Sequence, residues 1–596
     1  MPLFEHFPNL VTMFFTRAEE RGDAPFLWHK ADGAWTSQSW REVATKVAAL
    51  ALALKREGLQ PGDRVMLVSE NRPEWCIADL AIMAAGCVTV PAYTSNTMRD
   101  HDHILENSGA RAAIVSTAKL ATALIPAVLR AAKCRLVIGI DAMRIGQTGH
   151  FRFESFDALA GGPADVAGCA ADVERFERSD LACLIYTSGT GGAPRGVRQH
   201  HGAILHNVAG CVRIIEEDFG WGDEVFLSFL PLSHAYEHSG GQFLPIGLGG
   251  QIYYAEGLEK LAANIEEVRP TIMVVVPRLF EVLRTRITKA IEKQGALPTW
   301  LMTRANAMGD TPKLWQRPMD LLLSATIRRK VRARFGGRMK ALVSGGAPLN
   351  PEVGRFFASL GLTLLQGYGQ TEAGPVISCN RPGAGIKLDT VGPPMHGVEI
   401  RIAEDGEILA RGEMVMRGYW RNEEETARAI DAEGWLHTGD IGHLDSAGRL
   451  AITDRKKDII VNDKGDNVAP QRVEGMLTLQ PEIVQAMVVG DKRPYLVGLV
   501  VPDPEWRAEW SAEQGKVDDI IALAADPAFQ HALQAAVDRV NADLSAIEKV
   551  RRVVIAEEAF TIENEQLTPS MKIRRHVIRG VYGDRLDGLY RQAANY

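Results

Sequence analysis

No two of the seven cysteines (Cys76, Cys87, Cys134, Cys169, Cys183, Cys211 and Cys379) form a Cys-x-x-Cys pair. Single cysteines at wide spacing in a chain of 596 residues make neither a zinc cluster nor a disulfide framework. They fit a reducing compartment, so the expected location is the cytoplasm. No apolar run approaches the ~18 residues that a membrane span needs. The first residues, MPLFEHFPNLVTMFF, lack the basic start of a secretory signal. Positive charge is not in surplus either, since 67 Lys+Arg face 74 Asp+Glu for a net charge of −7. A main task on nucleic acid is thereby disfavoured, because counterion release from phosphates requires a basic surface. Low-complexity tracts and fixed-period repeats are also missing. With 46% hydrophobic and 24% charged residues, the composition excludes a disordered polymer, a collagen-like fibre and a coiled-coil rod.

What is present is an alternation. Short apolar, β-branched runs at residues 64–69, 88–93, 113–116 and 136–140 are separated by longer segments of helical period, such as 40–55 and 74–85. The pattern restarts at 181–186, 225–230, 271–276, 340–344 and 362–365. Such alternation predicts an α/β fold of parallel sheets layered with helices. From about residue 388, short strands with Gly and Asp turns predict a small all-β subdomain. After the charged stretch DRKKD (454–458) a second α/β unit follows, with strands at 484–489 and 496–501 and helices between 518 and 544. The expected division is a large N-terminal domain, 1–454, and a small C-terminal domain, 455–596, with the hinge in that charged stretch.

Four segments carry residue types suited to chemistry. The run LACLIYTSGTGGAPRGV (181–197) ends a hydrophobic strand and continues through Thr187, Ser188, Gly189, Thr190, Gly191 and Gly192 without a bulky side chain. Hydroxyls and exposed backbone N–H groups on a glycine loop can wrap phosphate oxygens, with Arg195 as a nearby cation. The loop is not a Walker A motif, because no Gly-Lys-Ser/Thr closes it; a plain turn is the competing interpretation. SGGAP (344–348) follows a strand and leaves room for a flat ring against Gly345, Gly346 and Ala347. YGQTE (368–372) offers the ring of Tyr368, the hydroxyl of Thr371 and the carboxylate of Glu372, an oxygen set suited to Mg²⁺ bridging to phosphate. WLHTGD (435–440) ends in Asp440, which can accept both hydroxyls of a ribose.

Taken together, YTSGTGGAPRGV, GYGQTE, GWLHTGD, DRKKD and LTPSMKIRR resemble the adenylate-forming superfamily of acyl-CoA synthetases, luciferases and peptide-synthetase adenylation domains. The order and spacing hold over nearly the whole chain. LPLSHAYEH (230–238), VPRLFE (276–281), VSGGAPL and NVAPQRVE resemble the long-chain fatty acyl-CoA synthetase branch. The resemblance implies a large domain of two α/β layered subdomains with a small β-barrel-like one, and a mobile α/β C-terminal domain. It implies ATP, Mg²⁺ and coenzyme A as cofactor and co-substrates, and a fatty acid as the acyl substrate. Thr187 to Gly192 would hold the β- and γ-phosphates, Thr371 the α-phosphate, and Glu372 with Thr187 the Mg²⁺. Tyr368 and Gly345 to Ala347 would flank adenine, while Asp440 and Arg455 would bind ribose. Lys572, otherwise a plain surface cation in a basic tail, would hold the carboxylate against the α-phosphate. The small domain would swivel about Lys457, and Gly465 would let the pantetheine arm pass.

The chain also departs from the family pattern. Gly191 stands where the family usually shows Thr, and Arg195 where it shows Lys; an Arg keeps the charge, so altered ATP affinity is expected. His234 matches a histidine beside the acyl carboxylate, and His238 falls where some long-chain enzymes carry a Trp gate. Either histidine can instead be a hydrogen-bonded core residue. RRKVRARFGGRMK (328–340) offers charge for an anionic lipid surface at the inner face of the membrane or for the 3′-phosphate of CoA, or is a solvated helix face. Self-association is compatible with the sequence. Only 24 residues follow Lys572, an expectation against a fused carrier domain. The alternatives to a fatty acid–CoA ligase are an adenylating enzyme that loads a carrier protein or acts on another carboxylate, and a non-catalytic acyl-binding protein.

Overall fold

Met66, Leu67 and Val68 are fully buried in succession, as are residues 112–115. A strand sealed on both faces has no polar alternation, and this is the signature of a parallel sheet covered by helices on each side. The computed structural model describes residues 4–146, 149–187, 193–308, 317–568 and 572–591. In chain order, its first strands are Pro25–Ala31 (β1), Ala34–Ser39 (β2), Arg64–Val68 (β3), Val88–Ala92 (β4), Ala112–Val115 (β5), Leu136–Gly139 (β6) and Arg152–Ser155 (β7). Leu181–Thr187 (β8) and Arg195–His200 (β9) follow, then Val225–Ser228 (β10), Gln251–Tyr254 (β11) and Ile272–Val275 (β12). Ala341–Ser344 (β13), Leu364–Gly369 (β14) and Val376–Cys379 (β15) complete this part.

One sheet has the order β7-β6-β5-β3-β4-β8-β9, parallel except for the antiparallel β8–β9 hairpin. The second has the order β15-β14-β13-β12-β10-β11-β1-β2. Two features differ from the sequence expectation. The run at 181–187 closes the first sheet beside β4 instead of opening the second. The hairpin β1–β2 joins the second sheet, with β1 parallel to β11, a pairing that no local pattern signals. Helix Trp40–Arg56 starts at a capping box, in which Ser39 and Glu42 satisfy each other's backbone N–H groups. Helix Pro73–Ala84 starts with Pro at its first position and is buried nearly all round.

The chain forms two compact units. The first takes residues 1–401, 409–438 and 444–451; the second takes 402–408, 439–443 and 452–596. The all-β stretch supplies strands Glu399–Ile402, Glu407–Arg411, Leu436–Leu444 and Leu450–Arg455, with a helix at Glu423–Ala429. In the second unit, Leu496–Pro502 pairs antiparallel with Ile483–Val489 and parallel with Val550–Ile555. Alternate side chains of these strands serve two cores, as the two-residue period of a strand requires. Val488 and Val500 pack with Val473, Leu533 and Val537, while Met487 and Leu499 pack with Ile578, Tyr582 and Leu586 of helix Arg575–Arg591. Among the described residues, no helix is long and apolar enough to cross a membrane.

Candidate active site

The glycine-rich run falls between β8 and β9, which pair antiparallel. Thr187 and Arg195 face each other where this pairing ends, with Tyr186 opposite Gly196 one step further in. Ser188, Gly189, Thr190, Gly191 and Gly192 lie outside the described residues. The other edge of β9 is occupied by residues 417–420: Arg417 N–H donates to Arg198 O (2.9 Å), Arg198 N–H to Gly418 O (3.0 Å) and Trp420 N–H to Gly196 O (2.7 Å). This stitching sets Tyr419 beside Arg195. The Arg195 guanidinium lies 4.5 Å from the centre of the Tyr419 ring and pairs with Glu425. The Tyr419 hydroxyl donates to Glu372 Oε1 at 2.8 Å.

Glu372 and Thr371 sit in a single 3₁₀ turn directly after β14. The buried amide of Gln199, on β9, donates to the Thr371 carbonyl, and Met416 N–H donates to Glu372 O at 2.9 Å. Both residues are therefore fixed through their backbone. Gly369 is obligatory here, because a Cβ on it would lie 1.9 Å from Pro375 O. Tyr368 is buried on β14 opposite Ser378. On the neighbouring strand, Ser344 pairs with Gln366, so Gly345 leaves β13 close to Tyr368. Gly345 is buried against Tyr236, whose ring would stand 2.8 Å from a Cβ; Gly346 and Ala347 are exposed. Tyr236 donates its hydroxyl to Val343 O at 2.9 Å. Half-buried His234 caps the short helix that carries Tyr236, its Nδ1 accepting the Tyr236 N–H at 3.2 Å.

His238 has a different position. It is fully buried, with Nε2 2.8 Å from Asp79 Oδ2 and its ring edge-on to Trp75 and Phe243. It is a core residue, and Asp79 also accepts from Gln242 at 2.7 Å. Among the basic residues of the run 328–340, only Arg328 is buried, and several of the charges are paired. Arg328 bonds Asp320 and the Ser359 carbonyl, Arg334 pairs with Glu266, Arg338 bonds the Arg269 carbonyl, and Lys340 pairs with Glu224. Arg329, Lys330, Arg332, Arg334 and Arg338 are exposed, so most of the basic side chains of this run face outward.

The second unit holds the other candidates. Asp440 and Arg455 come together at 3.8 Å. Lys456 is tied to Asp405 (2.5 Å) and Glu407 (2.9 Å), whereas Lys457, next to it, is exposed in a turn. Gly465 has φ +87° in the turn that joins strands Ile460–Val461 and Asn467–Val468, with Asn462 bonding the backbone on its far side. That conformation calls for glycine irrespective of what passes nearby. Lys572 is bonded to Thr568: Thr568 N–H donates to Lys572 O at 2.8 Å, and Lys572 N–H to Thr568 Oγ at 3.0 Å. Three residues on, Arg575 Nη2 donates to both carboxylate oxygens of Glu474, at 2.7 and 2.6 Å, which pins the start of the last helix.

Among the described residues, no group of three or more His, Cys, Asp or Glu side chains could cage a metal ion. One carboxylate on a fixed turn near a threonine hydroxyl is nevertheless the donor set that suits Mg²⁺, which keeps waters and rides on nucleotide phosphates.

Sequence comparison bears on the same residues. The model of the AMP-binding enzyme family matches residues 14–420, and that of the AMP-binding enzyme C-terminal domain matches 457–594. The chain belongs to the AMP-binding enzyme family. Within this family, it is 33% identical over 599 residues to the Long-chain-fatty-acid--CoA ligase FadD15 of Mycobacterium bovis, covering 98% of this chain and 97% of that one. It is 29% identical to the peroxisomal Long chain acyl-CoA synthetase 7 of Arabidopsis thaliana, over 95% of this chain and 83% of the relative. Among solved structures, the A domain of carboxylic acid reductase from Segniliparus rugosus, in complex with AMP and a co-purified carboxylic acid, shares the fold. The TM-score is 0.77 at 22% identity, over 99% of this chain and 95% of that one.

Sequence reasoning missed four residues that frame the site: Gln199, Tyr236, Tyr419 and Glu425. Tyr236 stood inside LPLSHAYEH, but nothing in that string shows its ring lying under Gly345. Tyr419 and Glu425 lie far along the chain from the loop whose Arg195 they hold.

Proposed function

We propose that this protein of the AMP-binding enzyme family is an ATP-dependent ligase that joins a long-chain fatty acid to coenzyme A. The observation that carries this reading is the end-to-end similarity to long-chain fatty-acid–CoA ligases, at 33% identity over 98% of the chain. A carboxylate is a poor electrophile. Its oxygen attacks the α-phosphorus of ATP, pyrophosphate leaves, and the resulting acyl-adenylate is open to attack at the carbonyl carbon by the CoA thiol, with AMP as the leaving group. In the first unit, Thr187 and the glycine-rich run bind the outer phosphates. Thr371 orients the α-phosphate, Tyr368 and Gly345 line the adenine, and His234 lies toward the acyl carboxylate. Glu372 would hold Mg²⁺, whose charge would offset that of the departing pyrophosphate. In the second unit, Asp440 and Arg455 bind the ribose hydroxyls. Lys572 serves adenylation and Gly465 serves thioester formation, with Lys457 as the pivot between these steps. Contact with a lipid surface is assigned to the exposed Leu297, Trp300, Leu321 and Leu322, which lie on helices Ala296–Met308 and Arg317–Leu323.

The test is an end-point assay by mass spectrometry with MgATP, CoA and carboxylic acids from acetate to oleate. Acyl-CoA from C12–C18 acids is expected. Lys572→Ala should slow the reaction from free acid by about 100-fold or more while still converting supplied acyl-adenylate and CoA. Acyl-adenylate that accumulates despite CoA would move the assignment to a carrier-loading enzyme. Binding of acid or ATP without any product would overturn it.

A further inference from the structure

A glutamate that offers one oxygen to a cation has to be stopped from turning. The terminal torsion of Glu is broad, and an unrestrained carboxylate spends its time over many orientations. In this chain one oxygen of Glu372 is already taken, since Oε1 accepts the Tyr419 hydroxyl at 2.8 Å. The ring that carries this hydroxyl is held from three sides. Tyr419 N–H donates to Thr426 Oγ at 2.9 Å. The next residue, Trp420, is bonded through its backbone to Gly196 and through its indole to Asn107 O at 3.1 Å. The Arg195 guanidinium covers the ring at 4.5 Å and is itself paired with Glu425. Gly418 permits this packing, because a Cβ there would stand 2.4 Å from Thr426.

We propose that Tyr419 is a positioning residue that fixes the Glu372 carboxylate for the divalent cation of the nucleotide, and that Arg195 braces Tyr419 instead of serving as a phosphate ligand. Arg195 has the geometry for this role: a planar cation can lie over a ring and bond a carboxylate with its edge at the same time, which an ammonium cannot do as well. The neck of the phosphate hairpin is in this way tied to the metal-holding carboxylate through one aromatic ring. The inference rests on the reading of Glu372 as the Mg²⁺ residue, and the experiment separates the two.

ATP binding to the full chain is measured by calorimetry in Mg²⁺ and in excess EDTA for the wild type, Tyr419→Phe, Arg195→Met and Glu372→Gln. Mn²⁺ replaces Mg²⁺ in a parallel titration followed by electron paramagnetic resonance. Tyr419→Phe keeps the ring and its packing, so the melting temperature should hold. Its gain in ATP affinity from Mg²⁺ should shrink by about tenfold, the size of a lost hydrogen bond to a charged group, with binding in EDTA unchanged. Arg195→Met should show the same pattern to a smaller degree. A Mg²⁺ effect that survives in Tyr419→Phe but is lost in Glu372→Gln overturns the role of Tyr419 alone. Survival in Glu372→Gln as well overturns the reading of Glu372. Equal weakening of ATP by Arg195→Met with and without Mg²⁺ makes Arg195 a phosphate ligand and overturns the brace.

Discussion

Glu237 stands one residue before His238 in the buried turn after β10, 1% exposed, with Oε1 accepting the Ser228 hydroxyl at 2.6 Å. Burial pushes its carboxyl up to about 8. In the unfolded chain the same group titrates near about 4.3. Its folded pKa is thus raised, so its contribution to stability is complete below pH ~4 and is lost as pH climbs to ~8, on the order of a few kcal/mol. Glu237→Gln should flatten the dependence of the melting temperature on pH between 5 and 8. A slope identical to wild type would show that the carboxyl is already ionised in the fold. Gly369 gives a steric counterpart. Because an added Cβ would meet Pro375 O at 1.9 Å, Gly369→Ala should cost about 1–3 kcal/mol in chemical denaturation. It should also displace the Thr371–Glu372 turn and weaken ATP binding.

At the level of elements, the strands β3, β5, β6 and β8 were legible because burial on both faces leaves an uninterrupted apolar run. The strand β9 was not, since RGVRQH carries two arginines and a histidine. Its backbone partners at 417–420 lie far away in sequence. The pairing of β1 with β11 was illegible for the same reason. Among the residues that the motif strings singled out, Thr371 and Glu372 lie in the turn after β14, Asp440 lies within strand Leu436–Leu444, and Arg455 ends strand Leu450–Arg455, 3.8 Å from Asp440. What no string conveys is a side chain's second partner, such as Tyr419 for Glu372. Nor does it convey how a basic run spends its charge, as at 328–340. Helices Ala296–Met308 and Arg317–Leu323 expose Leu297 (67%), Trp300 (52%) and Leu321 (70%). Each such side chain gains about 1.5–3 kcal/mol if it leaves water. Trp300→Ser with Leu321→Ser should reduce co-sedimentation with anionic vesicles by about tenfold or more. Unchanged sedimentation would remove this surface from any membrane role.

Across the whole molecule, all seven cysteines are free, and five of them are buried. Burial raises the thiols of Cys87, Cys134 and Cys211 to about 12, and that of Cys169 to about 11. Since the thiolate is the reacting species, native protein should leave a chromogenic disulfide reagent almost uncoloured at pH 8. Seven thiols should titrate once the protein is denatured; rapid native labelling would reveal opening of the fold around a buried thiol. The second unit has cores of its own, built from residues 460–555 on one face of its sheet and 487–586 on the other. Yet its chain is not one stretch, because residues 402–408 and 439–443 belong to it as well. The backbone therefore passes between the units five times. Anyone who grafts this second unit onto a relative by a single splice near residue 455 would carry over the body of the unit and leave two of its pieces behind in the host. A faithful transplant needs a donor's 402–408 and 439–443 to travel with it, and recombination between family members should tolerate joints that keep these three segments from one parent.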